Sequence, residues 1–246
     1  MYVYQIIIEY DGTNFVGWQI QKNGLSVQET VQKILIKILK QKIILYGSGR
    51  TDSGVHAIEQ SAHFNTKTKI NNKFFFLNTI NFFLNKKKIS ILKIYQKKKD
   101  FHARYSAKKR LYRYVIINRI APLSLERNKA WHIKSTLNIE VMKKAAKLLE
   151  GTKDFSTYRA STCSAVSPIK TLEKVRVTKK SNKIVITFQS KSFLKQQVRS
   201  MVGCLKFVAE GKWSLKKFKI VMNLKKRKNC APPAPAQGLY LSKVYY

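Results

Sequence analysis

Acidic residues are scarce in this chain of 246 residues. Asp and Glu number 12 against 49 Lys and Arg, so the formal net charge is +37 at pH 7. A disordered polycation is excluded, because 44% of the residues are hydrophobic and 11% are aromatic, enough to build a core. The positive electrostatic field of such a folded protein attracts polyanions, so nucleic acid is the favoured partner. A ribosomal or membrane-surface polycation is the alternative.

Cysteine and long apolar runs are also sparse. The three cysteines, Cys163, Cys204 and Cys230, are widely spaced and odd in number, which argues against a disulfide framework and for a reducing compartment. No apolar run approaches the roughly 18 residues of a membrane span, so no membrane partner is expected. The first residues lack the basic region and cleavage site of a signal peptide. The sequence therefore predicts a soluble, cytoplasmic, basic protein.

Strand-like and helix-like patterns alternate along the chain without a repeated βαβ rhythm, which predicts the α+β fold class. The first pattern is a strand at Val3–Tyr10. Ser26 and Glu29 then have the spacing of a capping box at the start of a helix. We expect two mixed halves, residues 1–118 and 119–246, with no flexible linker between them.

Two later segments carry strong apolar patterns. The segment Asn71–Asn85 is rich in phenylalanine, which favours a buried helix over an aromatic platform for nucleic acid. Apolar residues recur at helical spacing from Leu194 to Ala209, which predicts a second helix with Arg199 on an otherwise apolar face. An arginine in that setting favours a buried ion pair.

Because there are only twelve acids, the candidate catalytic carboxylates can be surveyed completely. Glu29 is explained by the capping box, Asp11 by its turn with Gly12, and Glu140 and Glu150 by surface ion pairs, whereas Asp52 has a different setting. It lies in the loop Gly47-Ser-Gly-Arg-Thr-Asp-Ser-Gly-Val-His56, which has three glycines, one arginine and no second acid. A carboxylate beside a guanidinium is held ionised and can act as a nucleophile or base. The alternative is an aspartate that only caps the turn through its own hydrogen bonds.

Other chemistries find weaker support in the sequence. The four histidines are scattered and no Cys or His pair has ligand spacing, so no metal site is predicted. Tyr46-Gly-Ser-Gly-Arg50 fails the second glycine of the serine hydrolase motif, and the loop lacks the Lys-Ser/Thr ending of a phosphate-binding loop. No Gly-x-Gly-x-x-Gly is present, which argues against a dinucleotide cofactor. A two-carboxylate glycosidase stays open, although no second acid has a comparable setting.

Residues 49–57, Gly-Arg-Thr-Asp-Ser-Gly-Val-His-Ala, resemble the catalytic motif of pseudouridine synthases, specifically the TruA-type tRNA pseudouridine synthases. Further blocks resemble sequence blocks of that family. They occur in the same order as in the family and are spread over essentially the whole chain. They are Tyr10–Gln19, Ser26–Glu29, Phe101–Ala107, Tyr112–Tyr114, Asp154-Phe155, Phe193-Leu194, Val198-Arg199, Val202-Gly203, Ala231-Pro232 and Gly238–Leu241. The resemblance implies the pseudouridine synthase fold, in which two mixed α/β halves have sheets flanking a basic cleft.

The resemblance also implies the site residues. Asp52 would be the catalytic carboxylate, and whether it attacks the sugar C1′, adds to C6 of the base or removes a sugar proton stays open. Tyr112 would lie against the target uracil, Arg199 would pair with Asp52, and Arg50 would help to hold the flipped-out nucleotide. One of Tyr112 and Tyr114 could instead be a core residue.

The implied reaction is the isomerisation of uridine to pseudouridine at positions 38 to 40 of the tRNA anticodon stem-loop. It needs no cofactor and no metal. The resemblance further implies a homodimer in which the tRNA contacts both chains. Two alternatives remain at this point, a pseudouridine synthase acting on another RNA and a basic RNA-binding protein without catalysis.

Overall fold

The computed structural model describes all of residues 1–246. Ten strands and five α-helices alternate along the chain. The strands are β1 Tyr2–Tyr10, β2 Tyr46–Gly47, β3 His56–Thr66, β4 Ile89–Lys97, β5 Lys109–Asn118, β6 Trp131–Ile133, β7 Gly151–Asp154, β8 Ile169–Lys180, β9 Lys183–Ser190 and β10 Leu239–Tyr245. The helices are α1 Val27–Leu39, α2 Lys73–Leu84, α3 Ile139–Leu148, α4 Gln197–Ala209 and α5 Leu215–Asn223. This mixture confirms the predicted α+β class, and none of the helices has the length and apolar character needed to cross a membrane.

The chain divides into two compact units. The first unit contains residues 1–108 and 240–246, and the second contains residues 109–239. In the first unit the strand order is β4-β1-β3-β10, with β1 antiparallel to both β3 and β4 and with β10 parallel to β3. The short strand β2 also pairs with β3, and α2 packs against α1 and β4.

The second unit is built on a sheet of order β5-β9-β8-β7, in which all neighbours are antiparallel. The strand β6 adds to β5 in parallel. Helix α3 packs against β8 and against α4 and α5. Almost every side chain of α4 is buried, which explains its apolar sequence pattern.

These units do not coincide with the expected halves 1–118 and 119–246. Strand β5 lies in the second unit because its residues pair in continuous register with β9, from Arg110 opposite Ser190 to Ile117 opposite Lys183. The last strand, β10, returns to the first unit, where it pairs with β3. Pairing over large sequence separations is not visible in a local pattern, so the sequence could not place either strand.

The predicted start of α1 is confirmed for the Ser26 half of the capping box. The Ser26 side chain accepts a hydrogen bond from the Glu29 amide, and the buried face of α1 includes Val27, Val31 and Leu35. Helix α4 begins at Gln197, three residues later than predicted. Its cap residue Gln196 has a left-handed backbone, with φ of 62° and ψ of 2°, so the preceding residues cannot continue the helix.

The expectation of a buried phenylalanine-rich helix is wrong in part. Helix α2 buries Phe76, Ile80 and Leu84, but Phe74, Phe75 and Phe82 are more than two-thirds exposed. The helix carries apolar residues all round its circumference, whereas the neighbouring α1 and β4 cover only one side of it.

Candidate active site

Hydrogen bonds hold the Asp52 loop in place from the point where it leaves β2. The Ser48 amide donates to the Ser61 carbonyl across 2.7 Å, and the Ser48 hydroxyl donates to Oε1 of Gln60, also across 2.7 Å. The Gln60 amide group in turn donates to the carbonyl of Gly49 across 2.9 Å. Ser48 and Gln60 are buried, so these hydrogen bonds are shielded from water and fix the loop backbone on β3.

The segment after β1 holds the middle of the loop. The hydroxyls of Tyr10 and Thr51 lie 2.8 Å apart, and the Trp18 amide donates to the Thr51 carbonyl across 3.1 Å. Gly17 has φ of +116°, and a Cβ there would lie 2.6 Å from the Thr51 carbonyl oxygen. A side chain at this position is therefore excluded both by backbone strain and by lack of space. The block Tyr10–Gln19 thus shapes the loop.

Asp52 stands in the tight turn that follows. The Val55 amide donates to the Asp52 carbonyl across 3.1 Å, and Gly54 supplies the left-handed backbone with φ of 75°. The Phe15 carbonyl accepts from the Ser53 hydroxyl at 3.2 Å and from the Gly54 amide at 3.3 Å. Main-chain groups and the Ser53 hydroxyl therefore close this turn. Asp52 itself is half-buried.

Arg50 lies two residues before Asp52 and is exposed. Its Nε donates a hydrogen bond to Oε1 of Gln19 across 2.9 Å. The guanidinium is planar and rigid, so this one contact restricts the direction in which the remaining nitrogens point. The sequence pattern did not indicate a functional role for Gln19, although Gln19 ends the block Tyr10–Gln19 that resembles the family.

His56 ends the loop and has a structural environment. It is buried, its Nδ1 accepts a hydrogen bond from the Gly12 amide across 3.0 Å, and its ring stacks on Tyr240 with centroids 4.8 Å apart. Asp11 lies beside it, with Oδ1 3.2 Å from the same nitrogen. Burial opposes ionisation of Asp11, but hydrogen bonds from Thr13 and the nearby charges hold its pKa below the ordinary value.

Tyr112 and Tyr114 lie on β5 in the second unit, two residues apart and so on one face of the strand. The Tyr114 ring is fully buried, its hydroxyl donates to the Pro235 carbonyl across 2.8 Å, and burial raises its pKa. Tyr112 is 8% exposed and meets Phe193 edge to face with centroids 5.1 Å apart. Both rings are therefore buried, and Tyr114 is fixed in the core by the hydrogen bond from its hydroxyl to the Pro235 carbonyl.

Arg199 lies in the first turn of α4. Its Nε donates to the Ala234 carbonyl across 2.7 Å, and the Ala234 amide donates back to the Arg199 carbonyl across 2.9 Å. The close approach depends on Gly203, where a Cβ would overlap the Pro232 carbonyl. The positive charge of Arg199 also acts on Tyr114, whose ionised form it favours against the effect of burial. The arginine is therefore fixed to the segment that follows α5.

The predicted site residues are thus distributed over both units. Arg50 and Asp52 share one loop of the first unit, and Tyr112 and Arg199 lie on β5 and α4 of the second. No group of three or more His, Cys, Asp or Glu side chains is arranged to hold a metal ion. The supporting roles of Ser48, Gln60 and Gln19 could not be predicted from a local pattern, because their partners are 11 to 31 positions away in the chain.

Comparisons with known proteins agree with the resemblance noted in the sequence. The family model described as tRNA pseudouridine synthase matches residues 6–106 and 145–246. A curated protein of Pelagibacter ubique named tRNA pseudouridine synthase A is 58% identical over 246 residues, which is 100% of both chains. Proteins of the same name from Maricaulis maris and Ehrlichia ruminantium are each 42% identical, covering 99% of this chain and 97% and 99% of their own.

A chain in the crystal structure of a Cbf5-Nop10-Gar1 complex is structurally similar over 83% of this chain and 53% of that chain, with 11% sequence identity. Its TM-score of 0.33 is too low to bear on the fold. The family match and the full-length relatives are much stronger. The chain belongs to the tRNA pseudouridine synthase family, isomerases that convert uridine in tRNA.

Proposed function

We propose that this protein isomerises uridine to pseudouridine at positions 38 to 40 of the tRNA anticodon stem-loop, with Asp52 as the catalytic carboxylate. The observation that carries the proposal is the anchoring of the loop on both sides of Asp52. The preceding carbonyl, that of Thr51, is bonded to the Trp18 amide, and the following residues Ser53 and Gly54 are bonded to the Phe15 carbonyl. A reacting group held this firmly has little orientational freedom to lose on the way to the transition state.

The reaction needs one positioned carboxylate. It is an isomerisation, so the substrate gains and loses no atoms overall. The N1–C1′ glycosidic bond of the uridine breaks, the free base turns, and a C5–C1′ bond forms while the proton on C5 moves to N1. The Asp52 carboxylate would act first in each of three routes, which are attack on C1′, addition to C6 and removal of a sugar proton. Experiment has to distinguish among the three.

The other site residues are proposed to act on the substrate. A uridine within a stem must leave the base stack before it reacts, and Arg50, exposed beside Asp52, would hold the extruded nucleotide through its phosphate. Tyr112 would pack against the uracil ring. Arg199 would favour the ionised form of the Asp52 carboxylate. Each is a separate proposal that a single substitution can reject.

We further propose that the protein is a cytoplasmic homodimer that binds one tRNA with both chains. A net charge of +37 supports a large phosphate-binding surface, which predicts affinity that falls steeply with salt. Light scattering of the protein alone and with tRNA measures the stoichiometry. A monomer that forms a one-to-one complex would contradict this part of the proposal and leave the chemistry unaffected.

The decisive experiment maps pseudouridine by nucleotide on an unmodified tRNA transcript. Wild type is compared with Asp52→Asn, which keeps the size of the side chain and removes its charge. Glu9→Gln is the matched control, because Glu9 is an exposed carboxylate at the end of β1 in the same unit. We expect product in the anticodon stem-loop for wild type and the control, and none for Asp52→Asn although it still binds tRNA.

The other outcomes separate the alternatives. Product at other nucleotides, or only on a different RNA, would keep the reaction and reject the proposed target. Full activity of Asp52→Asn would reject the proposed carboxylate. RNA binding without product from any of the three proteins would leave a non-catalytic RNA-binding protein.

A further inference from the structure

A row of aromatic rings lies in the first unit, outside the Asp52 loop. Ring centroids are 4.4 Å apart for Tyr105 and His102, 4.6 Å for His102 and His63, and 5.1 Å for His63 and Tyr46. We call these four residues the aromatic array. The residues come from three places in the sequence, since Tyr46 lies on β2, His63 on β3, and the other two in the segment between β4 and β5.

The aromatic array runs from the interior to the surface. His63 is 4% exposed, Tyr46 is 41% exposed and Tyr105 is 76% exposed. Tyr105 thus presents exposed aromatic surface beside a partly covered histidine, and a flat ring can pack on such a surface. Exposed single tyrosines are common, but this one is the outer end of a row of contacting rings that begins in the core.

Hydrogen bonds hold the inner rings in place. The Ala103 amide donates to Nδ1 of His63 across 3.1 Å, and the Arg104 amide donates to Nδ1 of His102, also across 3.1 Å. Burial, together with the nearby His102, lowers the pKa of His63 to about 4, so its ring is neutral at physiological pH. The array is thus an organised aromatic surface before any ligand binds, which reduces the entropic cost of binding.

Cations flank the rings. The Arg104 guanidinium lies 5.7 Å from the ring centroid of Tyr105, and Nζ of Lys97 lies 5.3 Å from that of Phe101, which meets His63 edge to face. Between residues 97 and 105 the chain has four basic residues and a single acid, Asp100. Exposed rings beside basic side chains are the arrangement with which proteins bind unpaired nucleotides, the rings stacking on bases and the cations contacting phosphates.

The aromatic array is also connected to the candidate catalytic loop. Tyr46 is paired with His63 across β2 and β3, and the next pair is Gly47 with Ala62. The loop that carries Asp52 begins directly after Gly47. Tyr46 and His63 of the array therefore lie on the two strands that lead into and out of the catalytic loop.

We infer that the aromatic array is a stacking site for an unpaired base of the RNA substrate, separate from the uridine that reacts. This inference rests on the proposed function for the identity of the RNA. A second copy of this chain fits the surface less well, because it would bring a further charge of +37 against Arg104 and the neighbouring lysines.

The test measures binding of an anticodon stem-loop RNA by fluorescence anisotropy at fixed salt. Loss of the base–aromatic contact in Tyr105→Ala should weaken affinity by about five- to 150-fold, which corresponds to about 1–3 kcal/mol. Tyr105→Phe keeps the ring and should bind within about twofold of wild type. Tyr105→Leu keeps apolar bulk without an aromatic face and should resemble Tyr105→Ala. Phe82→Ala is the matched control, an equally exposed ring on α2, and should leave affinity unchanged.

Pseudouridine formation by the same variants separates stacking from catalysis. We expect Tyr105→Ala to raise KM for the RNA and to leave the rate at saturation within about twofold. Wild-type affinity for Tyr105→Ala, or equal losses for Tyr105→Phe and Tyr105→Ala, would overturn the inference. So would a change of oligomeric state with affinity unchanged, which would indicate a protein partner.

The inference and the proposed function can fail independently. If wild type makes no pseudouridine and Tyr105→Ala still loses RNA affinity, the proposed function is wrong and the stacking site stands. If wild type is active and Tyr105→Ala binds normally, the stacking site alone is wrong.

Discussion

Nε of Arg50 donates a hydrogen bond to Oε1 of Gln19 across 2.9 Å, which joins the candidate catalytic loop to the segment that follows β1. The two residues are 31 positions apart in the chain. Gln19 therefore orients a cation that the proposed mechanism assigns to the substrate, without touching the reacting atoms itself.

Gln19→Ala should lower kcat/KM by about three- to tenfold, which corresponds to the roughly 1 kcal/mol that a typical hydrogen bond contributes. Arg50→Ala should lower it further, and the double variant should be no worse than Arg50→Ala, because Gln19 acts through the arginine. Gln41→Ala is a suitable control, since Gln41 contacts Lys67 and Thr68 instead of the loop. Additive losses in single-turnover assays would show that Gln19 has a role of its own.

The hydroxyl contact between Tyr10 and Thr51 predicts a second effect. Tyr10→Phe removes one partner of a buried pair, which should cost about 1–2 kcal/mol of unfolding free energy and also reduce turnover. Tyr4→Phe is the matched control, because the Tyr4 hydroxyl accepts from the Ile70 amide, far from the loop in sequence. We expect similar losses of stability in urea denaturation, with activity reduced only for Tyr10→Phe. If Tyr10→Phe and Tyr4→Phe were equally active, the position of the loop would not limit the rate.

The proposed action of Arg199 on Asp52 predicts energetic coupling. Asp52→Glu is used in place of a neutral residue so that activity stays measurable. Arg199→Ala should lower kcat in the wild-type background and should have a smaller effect when combined with Asp52→Glu, since the arginine has lost its normal partner. Arg176→Ala, a change at an exposed position of β8, should be additive with Asp52→Glu. Additivity for Arg199 as well would reject the proposed coupling.

Protonation of His63 should destabilise the protein in mild acid. Its pKa is about 4 in the folded state and near 6.5 when unfolded, so between these values the unfolded chain binds the extra proton. The contribution of His63 to the free energy of unfolding is fully present above about pH 6.5. It is lost as the pH falls toward 4, by at most about 1.4 kcal/mol per pH unit.

The neighbouring His102, whose pKa is also lowered by burial, contributes in the same direction. His63→Asn should flatten the dependence of unfolding free energy on pH over this window, and the double variant His63→Asn, His102→Asn should flatten it further. An unchanged slope in both variants would mean that other groups carry the acid sensitivity.

Local patterns predicted the features that depend on neighbours in the chain. The Ser26 side chain caps α1 as expected, because the donor and the acceptor of that hydrogen bond are three residues apart. The glycine-rich loop around Asp52 and the buried face of α4 were recognisable for the same reason, since turn geometry and helical periodicity are short-range properties.

Long-range packing decided the rest. Composition favoured a buried α2, but exposure of Phe74, Phe75 and Phe82 depends on which elements cover the helix. Alternation along β5 put Tyr112 and Tyr114 on one face, and only the tertiary structure shows that the Tyr114 hydroxyl is hydrogen-bonded to the Pro235 carbonyl. The aromatic array likewise exists only after β2, β3 and the segment before β5 have come together.

The sequence by itself determined the fold class, the family and the candidate carboxylate, because each is encoded in composition or in a contiguous motif. The tertiary structure decided how Asp52 is held, which strands belong to each unit and where aromatic surface is exposed. Those properties depend on contacts between residues tens of positions apart, such as Tyr10 with Thr51 and Tyr46 with His63, and no local pattern specifies them.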